Sequence, residues 1–424
     1  MIGPPGAPTV SPVGITVAAI AHPIAGRWRM LLVCTLAAGM AQGFGRFSYP
    51  VLLPSLREDL LASYGSAGLI GTLNVVAYLA GSIIVMVLSM RLPGHRLMAV
   101  GLTLTTAALV VLATARSVPQ LAVGMIMSGL GGAGVWVPAP GVATSLFPLE
   151  RRGVASGASG AGIGLCMLLA SQLGRIAPRW GDESWRVVWW IMAALTAAAA
   201  LAAWTVLRPP PAPTSPEPPT FDALRRVPAW RAISAAYACF GLAYVLYVSY
   251  LVAGVREDAG FSPGHAANVF GVMAATTIVG GPLLGQVSDR IGRRSTLITG
   301  FLAAAVGAAS VLTGREPWVS LGAVVFGLAF SGLVSVIAAY VGDHSEAHQF
   351  ASAFGAITVA FALAQAGGPY LGGWLRDLTG DFTAVFAVSM VTWLVGALCC
   401  VPLARAPARR VREVRPAASL RSTG

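Results

Sequence analysis

Arg46 is the charged residue whose position most directly suggests chemistry. It lies within an apolar stretch that is expected to cross a membrane, in the segment GFGRFSYP at residues 43–50. A central arginine in a membrane helix costs about 2.5–3.5 kcal/mol, so a water-filled cavity, a carbonyl group or an anionic ligand should offset that cost. Alternatively, Arg46 lies about 27 Å along the helix from Trp28 and extends to lipid headgroups. The glycines and prolines around Arg46 suggest an opened helix backbone, which favours the cavity.

Acidic residues are missing from the depth at which Arg46 lies. No aspartate or glutamate falls well inside any predicted span. Proton-driven exporters of cations and drugs usually need a buried carboxylate as the proton or cation partner. A buried arginine without such an acid indicates an anionic substrate instead, for example a carboxylate. Asp289 and Asp343, at the edges of predicted spans, could still titrate from the cytoplasmic side.

Polar and aromatic side chains at mid-span depth supply the other candidate solute contacts. Asn74 and Tyr78 are four residues apart and therefore share a helix face. Tyr244 and Tyr247 belong to an aromatic stripe on the seventh span. Each residue alone fits helix packing or anchoring at the membrane interface, but together they could line an amphipathic cavity. The predicted solute-binding residues are Arg46, Tyr49, Asn74, Tyr78, Trp136, Tyr244, Tyr247 and Gln365.

Other kinds of chemistry find little support in the sequence. Residues 129–134, GLGGAG, fit the dinucleotide fingerprint, but that fingerprint needs a preceding strand and here lies inside an apolar span. All 28 basic residues are arginine, so no phosphate-loop or Schiff-base lysine exists. His344 and His348, beside Asp343 and Glu346, have a spacing that could hold a metal ion, although a solvated loop is the simpler interpretation. Because every histidine falls in a tail or loop, we predict no metal, no cofactor and no enzymatic activity.

The composition requires that these residues be carried by membrane helices. The chain is 56% hydrophobic and 10% charged, whereas soluble domains carry about 25% charged residues. Twelve segments have the length and apolar character of a spanning helix, about 20 residues each. We therefore predict an all-α integral membrane protein with twelve transmembrane helices, arranged as two pseudo-symmetric six-helix bundles.

An internal repeat relates the two halves of the chain. Arg57-Glu58-Asp59 recurs as Arg256-Glu257-Asp258, 199 residues later, and Gly129-Leu130 recurs as Gly327-Leu328 at an offset of 198. Many secondary transporters place their solute site between two parallel repeats of this kind. The predicted divisions are a disordered cytoplasmic tail at 1–26, a first bundle at 27–207, a proline-rich cytoplasmic linker at 208–229, a second bundle at 230–404 and a basic cytoplasmic tail at 405–424.

The net charge of +12 is explained better by membrane orientation than by nucleic-acid binding. The predicted inner segments hold 19 arginines and the outer loops hold 8. The positive-inside rule then places both termini in the cytoplasm. We predict a multi-pass protein of the plasma membrane, which is the inner membrane in a bacterium. Its expected partners are a small-molecule solute and the lipid bilayer, without nucleic acid, and we expect a monomer.

One loop resembles a signature of a known family. Residues 285–294, GQVSDRIGRR, resemble the G-x-x-x-D-R-x-G-R-R loop of the major facilitator superfamily and lie between the eighth and ninth spans, where its second copy belongs. The resemblance implies that Asp289 bonds nearby arginines and the start of the fifth helix, and so locks the cytoplasmic side closed. A carboxylate at that helix end gains about 0.3–1 kcal/mol. The residues assigned to this conformational role are Gly285, Asp289, Arg290, Gly292 and Arg293, with Arg151 and Arg152 at the start of the fifth helix.

Other positions depart from the pattern of proton–drug exporters in that superfamily. The repeat offset places Met90 opposite Asp289, so the first copy of the loop lacks its aspartate. Met125 lies about where such exporters carry an arginine. Their Gly-Pro motif is missing from the fifth span, and a similar string, GGPYLGG, occurs at 367–373 instead. These departures argue against standard proton–drug antiport.

A narrower resemblance covers the first two spans. The segment GRFSYP at 45–50, with Asn74 and the segment YLAG at 78–81, is similar to the YbfB/YjiJ-like branch of the superfamily, which implies no particular substrate. The predicted function is secondary transport of a small organic solute by alternating access. The expected solute is an organic anion such as a carboxylate, and protons are the candidate coupling ion. The alternatives are efflux of drug-like or hydrophobic compounds and, more remotely, a membrane receptor or scaffold or a membrane-embedded enzyme.

Overall fold

The computed structural model describes residues 24–147, 151–181, 183–208, 221–345 and 349–404, and these residues form helices joined by short connections. A π-helical turn, Met40–Phe44, joins the first two helices, and a 3-10 turn, Ala177–Trp180, follows the seventh. The α-helices are α1 Ile24–Gly39, α2 Ser48–Asp59, α3 Tyr64–Leu88, α4 Gly94–Ala113, α5 Val118–Trp136, α6 Ala139–Ser145, α7 Arg152–Ile176, α8 Ser184–Val206, α9 Phe221–Arg225, α10 Trp230–Glu257, α11 Pro263–Ile291, α12 Arg293–Val311, α13 Trp318–Asp343, α14 Phe350–Thr379 and α15 Thr383–Cys399.

Membrane-length helices dominate the described part of the chain. Eleven helical segments there are long and apolar enough to cross a membrane, counting α1 to α2 and α5 to α6 as one segment each. The twelfth apolar helix, Thr383–Cys399, is shorter at 17 residues. This arrangement agrees with the predicted all-α membrane fold of twelve helices.

The predicted tails and linker lie largely outside the described residues. Residues 1–23 and 405–424 are not described, nor are residues 209–220 of the predicted linker. The first helix begins at Ile24, within the predicted tail, and runs through Gly26, Arg27 and Arg29 into the apolar stretch that follows. The end of the linker contains the short helix α9, so it is not extended throughout.

The repeat is visible in the way corresponding helices begin. Ser63 and Ser262, which correspond at the 199-residue offset, each cap the helix that follows. The Ser63 hydroxyl accepts a hydrogen bond from the backbone N–H of Ser66 at 3.1 Å, and the Ser262 hydroxyl accepts one from His265 at 3.3 Å. Such caps satisfy N–H groups that have no partner inside the helix. The same local chemistry therefore starts the second span of each bundle.

The two bundles meet along two equivalent helix pairs. The first bundle is formed by the packing of α1, α3, α4, α5, α7 and α8, and the second bundle by the packing of α10 to α15. Between the bundles α3 packs against α14, and α7 packs against α11. The repeat exchanges these two pairs, as expected if two copies of one six-helix unit face each other across an approximate two-fold axis.

The first span is interrupted at Arg46. Pro50 has no N–H to donate to the carbonyl of Arg46, and its ring would collide with that carbonyl in a regular helix. The backbone responds with a wider turn, in which Gly45 donates to the carbonyl of Met40 at 3.1 Å and Phe47 donates to that of Gln42 at 3.0 Å. Wide turns of this type are frequent at functional sites. The break predicted from the flanking glycines and prolines is therefore present.

Candidate solute site at the bundle interface

Arg46 extends toward the second bundle and contacts two of its side chains. It is half-buried. One terminal nitrogen, Nη2, donates a hydrogen bond to the hydroxyl of Tyr244 on α10 at 3.0 Å. The other terminal nitrogen, Nη1, lies 3.0 Å from the amide oxygen of Gln365 on α14. The guanidinium is thus satisfied by protein groups between the bundles.

Gln365 presents its amide oxygen to this cluster. In that orientation the oxygen accepts hydrogen bonds from both terminal nitrogens of Arg46 and from the Tyr244 hydroxyl, the latter at 2.9 Å. The opposite orientation would set the amide NH2 against the guanidinium, so the hydrogen-bond network fixes the assignment. Gln365 is only 2% exposed. We call Arg46, Tyr244 and Gln365 the guanidinium cluster.

Aromatic rings complete the environment of the guanidinium. The Cζ atom of Arg46 lies 5.4 Å from the ring centroid of Phe47 and 5.9 Å from that of Tyr78. Both distances fall within the range of cation–π attraction, which contributes about 0.5–2 kcal/mol depending on solvent exposure. Among the described residues, no carboxylate forms an ion pair with Arg46. Within the described part of the chain, the groups that contact its positive charge are therefore neutral.

A small cavity lies beside the guanidinium cluster, between the bundles. Its volume is ≈ 30 Å³, room for a water molecule or two but not for an organic solute. The lining contains one charged residue, Arg46, and no acid. The lining residues are Arg46, Phe47, Tyr49, Pro50, Gly71, Asn74, Val75, Met125, Tyr244, Val245, Val248, Ser249 and Pro369.

Tyr49 and Asn74 line this cavity but use their polar atoms within the first bundle. The Tyr49 hydroxyl donates to the carbonyl of Ala67 at 2.8 Å, and the Asn74 amide donates to the carbonyl of Met125 at 2.9 Å. Hydrogen bonds to buried backbone carbonyls hold helices at a fixed spacing. Tyr49 and Asn74 therefore fix the position of the cavity wall that the first bundle forms. Met125 itself presents an apolar side chain there, which leaves Arg46 as the only cation of the lining.

Two predicted residues are neither in the cavity lining nor among the described contacts of Arg46. Tyr247 is fully buried and stacks on Phe326, with ring centroids 3.7 Å apart, inside the second bundle. Trp136 ends α5 and is half-buried, and it is not among the residues that line the cavity. Of the eight predicted solute-binding residues, the structure thus brings together six: Arg46, Tyr49, Asn74, Tyr78, Tyr244 and Gln365.

Several lining residues were not predicted, although the repeat held a signal for their location. Tyr244 lies 198 residues after Arg46, and 198 is also one of the repeat offsets. Corresponding positions near a two-fold axis face each other, so the repeat alone could have placed the neighbouring Val245 and Val248 opposite Arg46. Pro369 could have been found from the string GGPYLGG, which places a proline inside α14.

The bundles are closed against each other at one end, which we call the Glu58 end. Arg256 Nη2 lies 2.7 Å from the Glu58 carboxylate of the other bundle. The Asp377 carboxylate accepts the backbone N–H groups of Tyr64 at 3.0 Å and Gly65 at 2.6 Å, at the start of α3. The Tyr64 hydroxyl bonds Glu257. The duplicated Arg-Glu-Asp triplet therefore contributes both of its glutamates to this closure.

Glycines allow the helix backbones to touch at the Glu58 end. A Cβ added at Gly68 of α3 would overlap the carbonyl oxygen of Pro369, and one added at Gly373 of α14 would overlap that of Tyr64. At the opposite end Gly157, on α7, has open space where a Cβ would be. Gly285 of α11 is open in the same way, so the described contacts between the bundles lie at the Glu58 end and are lacking at these two positions of the other end, which we call the separated end.

The family-type loop lies at the separated end, and its aspartate bonds within its own bundle. Arg293 pairs with Asp289 at 2.6 Å and with Asp343 at 2.8 Å. Arg290 and Arg151 are exposed, and no bond joins Asp289 to Arg151 among the described contacts. The side chain of Arg152 is outside the described residues. Among the described contacts, the expected bond from Asp289 to the start of the fifth helix is not formed, and Asp289 bonds Arg293 instead.

The glycines of this loop have different roles. Gly292 has φ = +88° at the junction of α11 and α12, a conformation that favours glycine. Gly285 faces open space.

Of the predicted histidine pair, His344 bonds the Tyr340 carbonyl through Nδ1 at 2.8 Å, whereas His348 and Glu346 lie outside the described residues.

Comparisons with known proteins agree with this architecture. Residues 37–401 match the family model described as "Uncharacterised MFS-type transporter YbfB". The chain is 27% identical over 175 residues to the putative uncharacterized transporter YgaY of Escherichia coli K12, which is 41% of this chain and 43% of YgaY. It is 28% identical over 408 residues to human monocarboxylate transporter 11, covering 91% of this chain and 85% of that protein.

A resistance protein and a solved structure are also similar. The chain is 29% identical over 136 residues to the class C tetracycline resistance protein of Escherichia coli, covering 31% of this chain and 34% of that protein. A bacterial homologue of the human lysosomal transporter Spinster, in an inward-facing occupied conformation, superposes with a TM-score of 0.71 at 18% identity, covering 90% of this chain and 95% of that one. At 18% sequence identity, this similarity is evidence about the fold alone.

Proposed function

Because the chain belongs to the YbfB-type family of the major facilitator superfamily, we propose that it carries a small organic anion, such as a carboxylate, by alternating access. It is a multi-pass membrane transporter and not an enzyme. The single observation that carries the choice of solute is the charge of the site. Arg46 lies between the bundles with neutral partners and no acid in the cavity lining. A positive site of this kind attracts an anion and repels a cation.

The chemistry of the lining supports a solute with one charged end. A carboxylate can accept two parallel hydrogen bonds from a guanidinium, which is a stronger arrangement than bonds between neutral groups. The rest of the lining is mainly apolar and includes Val75, Met125, Val245 and Val248. It suits the hydrocarbon body of an organic acid. The similarity to a protein named monocarboxylate transporter 11 points in the same direction.

The cycle that we propose exchanges the open and closed ends. From the arginine distribution we infer that the Glu58 end lies outside and both termini lie in the cytoplasm, and on that orientation the present conformation faces inward. Rocking of the first bundle, 27–207, against the second, 230–404, would part the Glu58 end and close the other. Asp289 would then reach the start of α7, with Arg290 and Arg293 balancing the two states. We propose a monomer in the bacterial inner membrane, with protons as the candidate coupling ion.

The second candidate is efflux of a drug-like or hydrophobic compound. The apolar lining and the similarity to a tetracycline resistance protein favour it. The two proposals differ in what they require of the solute. An organic-anion site needs a negative charge on its ligand, and an efflux site for hydrophobic compounds does not.

A comparison of isosteric acids and amides tests the organic-anion proposal. The purified full chain is heated with acetate, propionate or benzoate, and in parallel with acetamide, propionamide or benzamide. A ligand that binds the folded protein at ten times its Kd should raise the melting temperature by roughly 1–3 °C. We expect at least one acid to do so and its amide not to. That acid should also drive counterflow in proteoliposomes.

The same assay separates the alternatives. Shifts of equal size for an acid and its amide would contradict the requirement for charge. Shifts by tetracycline or other hydrophobic compounds, with none by any acid, would favour the efflux candidate. Counterflow is measured against liposomes without protein, which gives the passive leak of each protonated acid.

A further inference from the structure

The amide oxygen of Gln365 occupies the place on Arg46 that a bound carboxylate would take. It accepts hydrogen bonds from both terminal nitrogens of the guanidinium and a third from Tyr244. A carboxylate oxygen accepts the same bonds with the same geometry and carries a negative charge as well. The site is thus filled by a neutral group of its own chain.

Arg46 and Gln365 each lie in a helix turn that lacks a backbone hydrogen bond. Arg46 lies four residues before Pro50, and Gln365 lies four residues before Pro369, which is inside α14. In each case the proline cannot donate the hydrogen bond that the carbonyl four residues earlier would receive in a regular helix. Gly367 and Gly368 closely follow Gln365. The turn that carries Gln365 is therefore easier to displace than a regular turn of a buried helix.

The occupied guanidinium requires such a displacement. Gln365 and Tyr244 engage both terminal nitrogens of Arg46, so a carboxylate cannot form paired bonds to them while both partners stay in place. The solute must therefore replace one of these partners. Gln365 is the partner whose bonds a carboxylate reproduces, whereas the Tyr244 hydroxyl can remain and donate to the incoming oxygen.

We propose that Gln365 is an internal substitute for the solute, which an organic anion displaces from Arg46 when it binds. This inference rests on the proposed function and deepens it, since it names the residue that determines specificity. Gln365 keeps the guanidinium solvated in the empty state and so spares the protein an unpaired buried charge. It also competes with every ligand, so a neutral amide gains nothing by replacing it, whereas an anion does.

Two substitutions of similar volume test the competition. Gln365→Met removes the acceptor and keeps the bulk of the side chain. In this variant, acetate and formate should each bind about tenfold more tightly, and by the same factor. The reason is that the hydrogen bonds between Gln365 and the Arg46 guanidinium no longer have to be broken before the anion binds. Gln365→Glu supplies a permanent carboxylate. We expect it to raise the melting temperature and to abolish the shift that acetate produces.

Binding is followed by thermal shift of the full chain with acetate, formate and acetamide, with Gln172→Met as a matched control outside the cluster. Arg46→Gln combined with Gln365→Met should bind neither anion. Unchanged or weaker acetate binding by Gln365→Met, or no acetate binding by that variant at all, would overturn the proposal. A retained acetate shift in Gln365→Glu would also do so.

Transport is measured separately in proteoliposomes. Tighter acetate binding by Gln365→Met, together with no carboxylate uptake by the unmodified chain, would leave the substitution mechanism standing and overturn the proposed function. Carboxylate uptake that depends on Arg46, together with unaltered binding in Gln365→Met, would support the proposed function and overturn the substitution mechanism.

Discussion

Uptake of the transported anion is expected to fall by at least about 100-fold when Arg46 is replaced by glutamine. Two hydrogen bonds from a charged donor to a carboxylate contribute about 1.5–3 kcal/mol each, and every 1.4 kcal/mol is a factor of ten in affinity. Glutamine fills a similar space but offers neither charge nor a forked donor. Arg46→Lys should retain part of the activity, because an ammonium supplies the charge without the paired geometry.

The measurement is initial uptake by proteoliposomes over a range of solute concentrations. Arg116→Gln, on an exposed loop arginine, is the matched control and should transport normally. The variant should fold, since Arg46 has no ion-pair partner among the described residues that its loss would leave unpaired. Unchanged kinetics of Arg46→Gln for every transported anion would remove Arg46 from the site.

Replacing Gly68 with leucine is expected to abolish transport for a different reason. The added side chain would collide with the backbone of α14 at Pro369, and a backbone atom cannot turn aside as a side chain can. Overpacking typically costs about 1–3 kcal/mol, enough to move a two-state equilibrium by roughly 5- to 150-fold. The exposed ion pair of Glu58 contributes only about 0–1 kcal/mol, and the bonds from Asp377 to the start of α3 need the close approach that the added side chain prevents. The Glu58 end should therefore remain open.

Accessibility shows whether the Glu58 end has opened. A cysteine placed at Ser249, in the cavity lining, should react with an impermeant maleimide from the Glu58 side only in the Gly68→Leu background. Gly141→Leu is the matched control, because Gly141 lies on α6 and has no atom within 4 Å of an added Cβ. Normal uptake by Gly68→Leu, or equal labelling in both backgrounds, would contradict the assigned role of this contact.

The elements of the fold follow from the sequence, because helices in lipid must satisfy their own hydrogen bonds and their length is set by the membrane. The same holds for the break at Arg46, since a proline acts on the carbonyl four residues before it. Both features depend on residues close together in the chain. They could be predicted without knowledge of the tertiary arrangement.

The partners of Arg46 could be predicted only in part. The repeat offset points to Tyr244, whereas Gln365 reaches Arg46 only through the packing of α14 between two bundles. Tyr247 lies away from the cavity because α10 is buried around most of its circumference, so an aromatic stripe does not say which part faces the cavity. Asp289 presents a further difficulty. The partner of Asp289 depends on which end of the bundles is closed, and the same sequence forms both of these conformations.

The unbalanced charge of Arg46 has a consequence for the effect of membrane voltage. An empty site carries one positive charge, while a site loaded with a monoanion and no coupling proton is neutral. A membrane potential therefore changes the free energy of the step in which the empty carrier returns, by at most about 2.3 kcal/mol per 100 mV. It hardly changes the free energy of the step in which the loaded carrier reorients. Net flux should depend on an imposed potassium diffusion potential, whereas one-for-one exchange of labelled for unlabelled anion should not. Equal responses of both modes would mean that another charge travels with the solute.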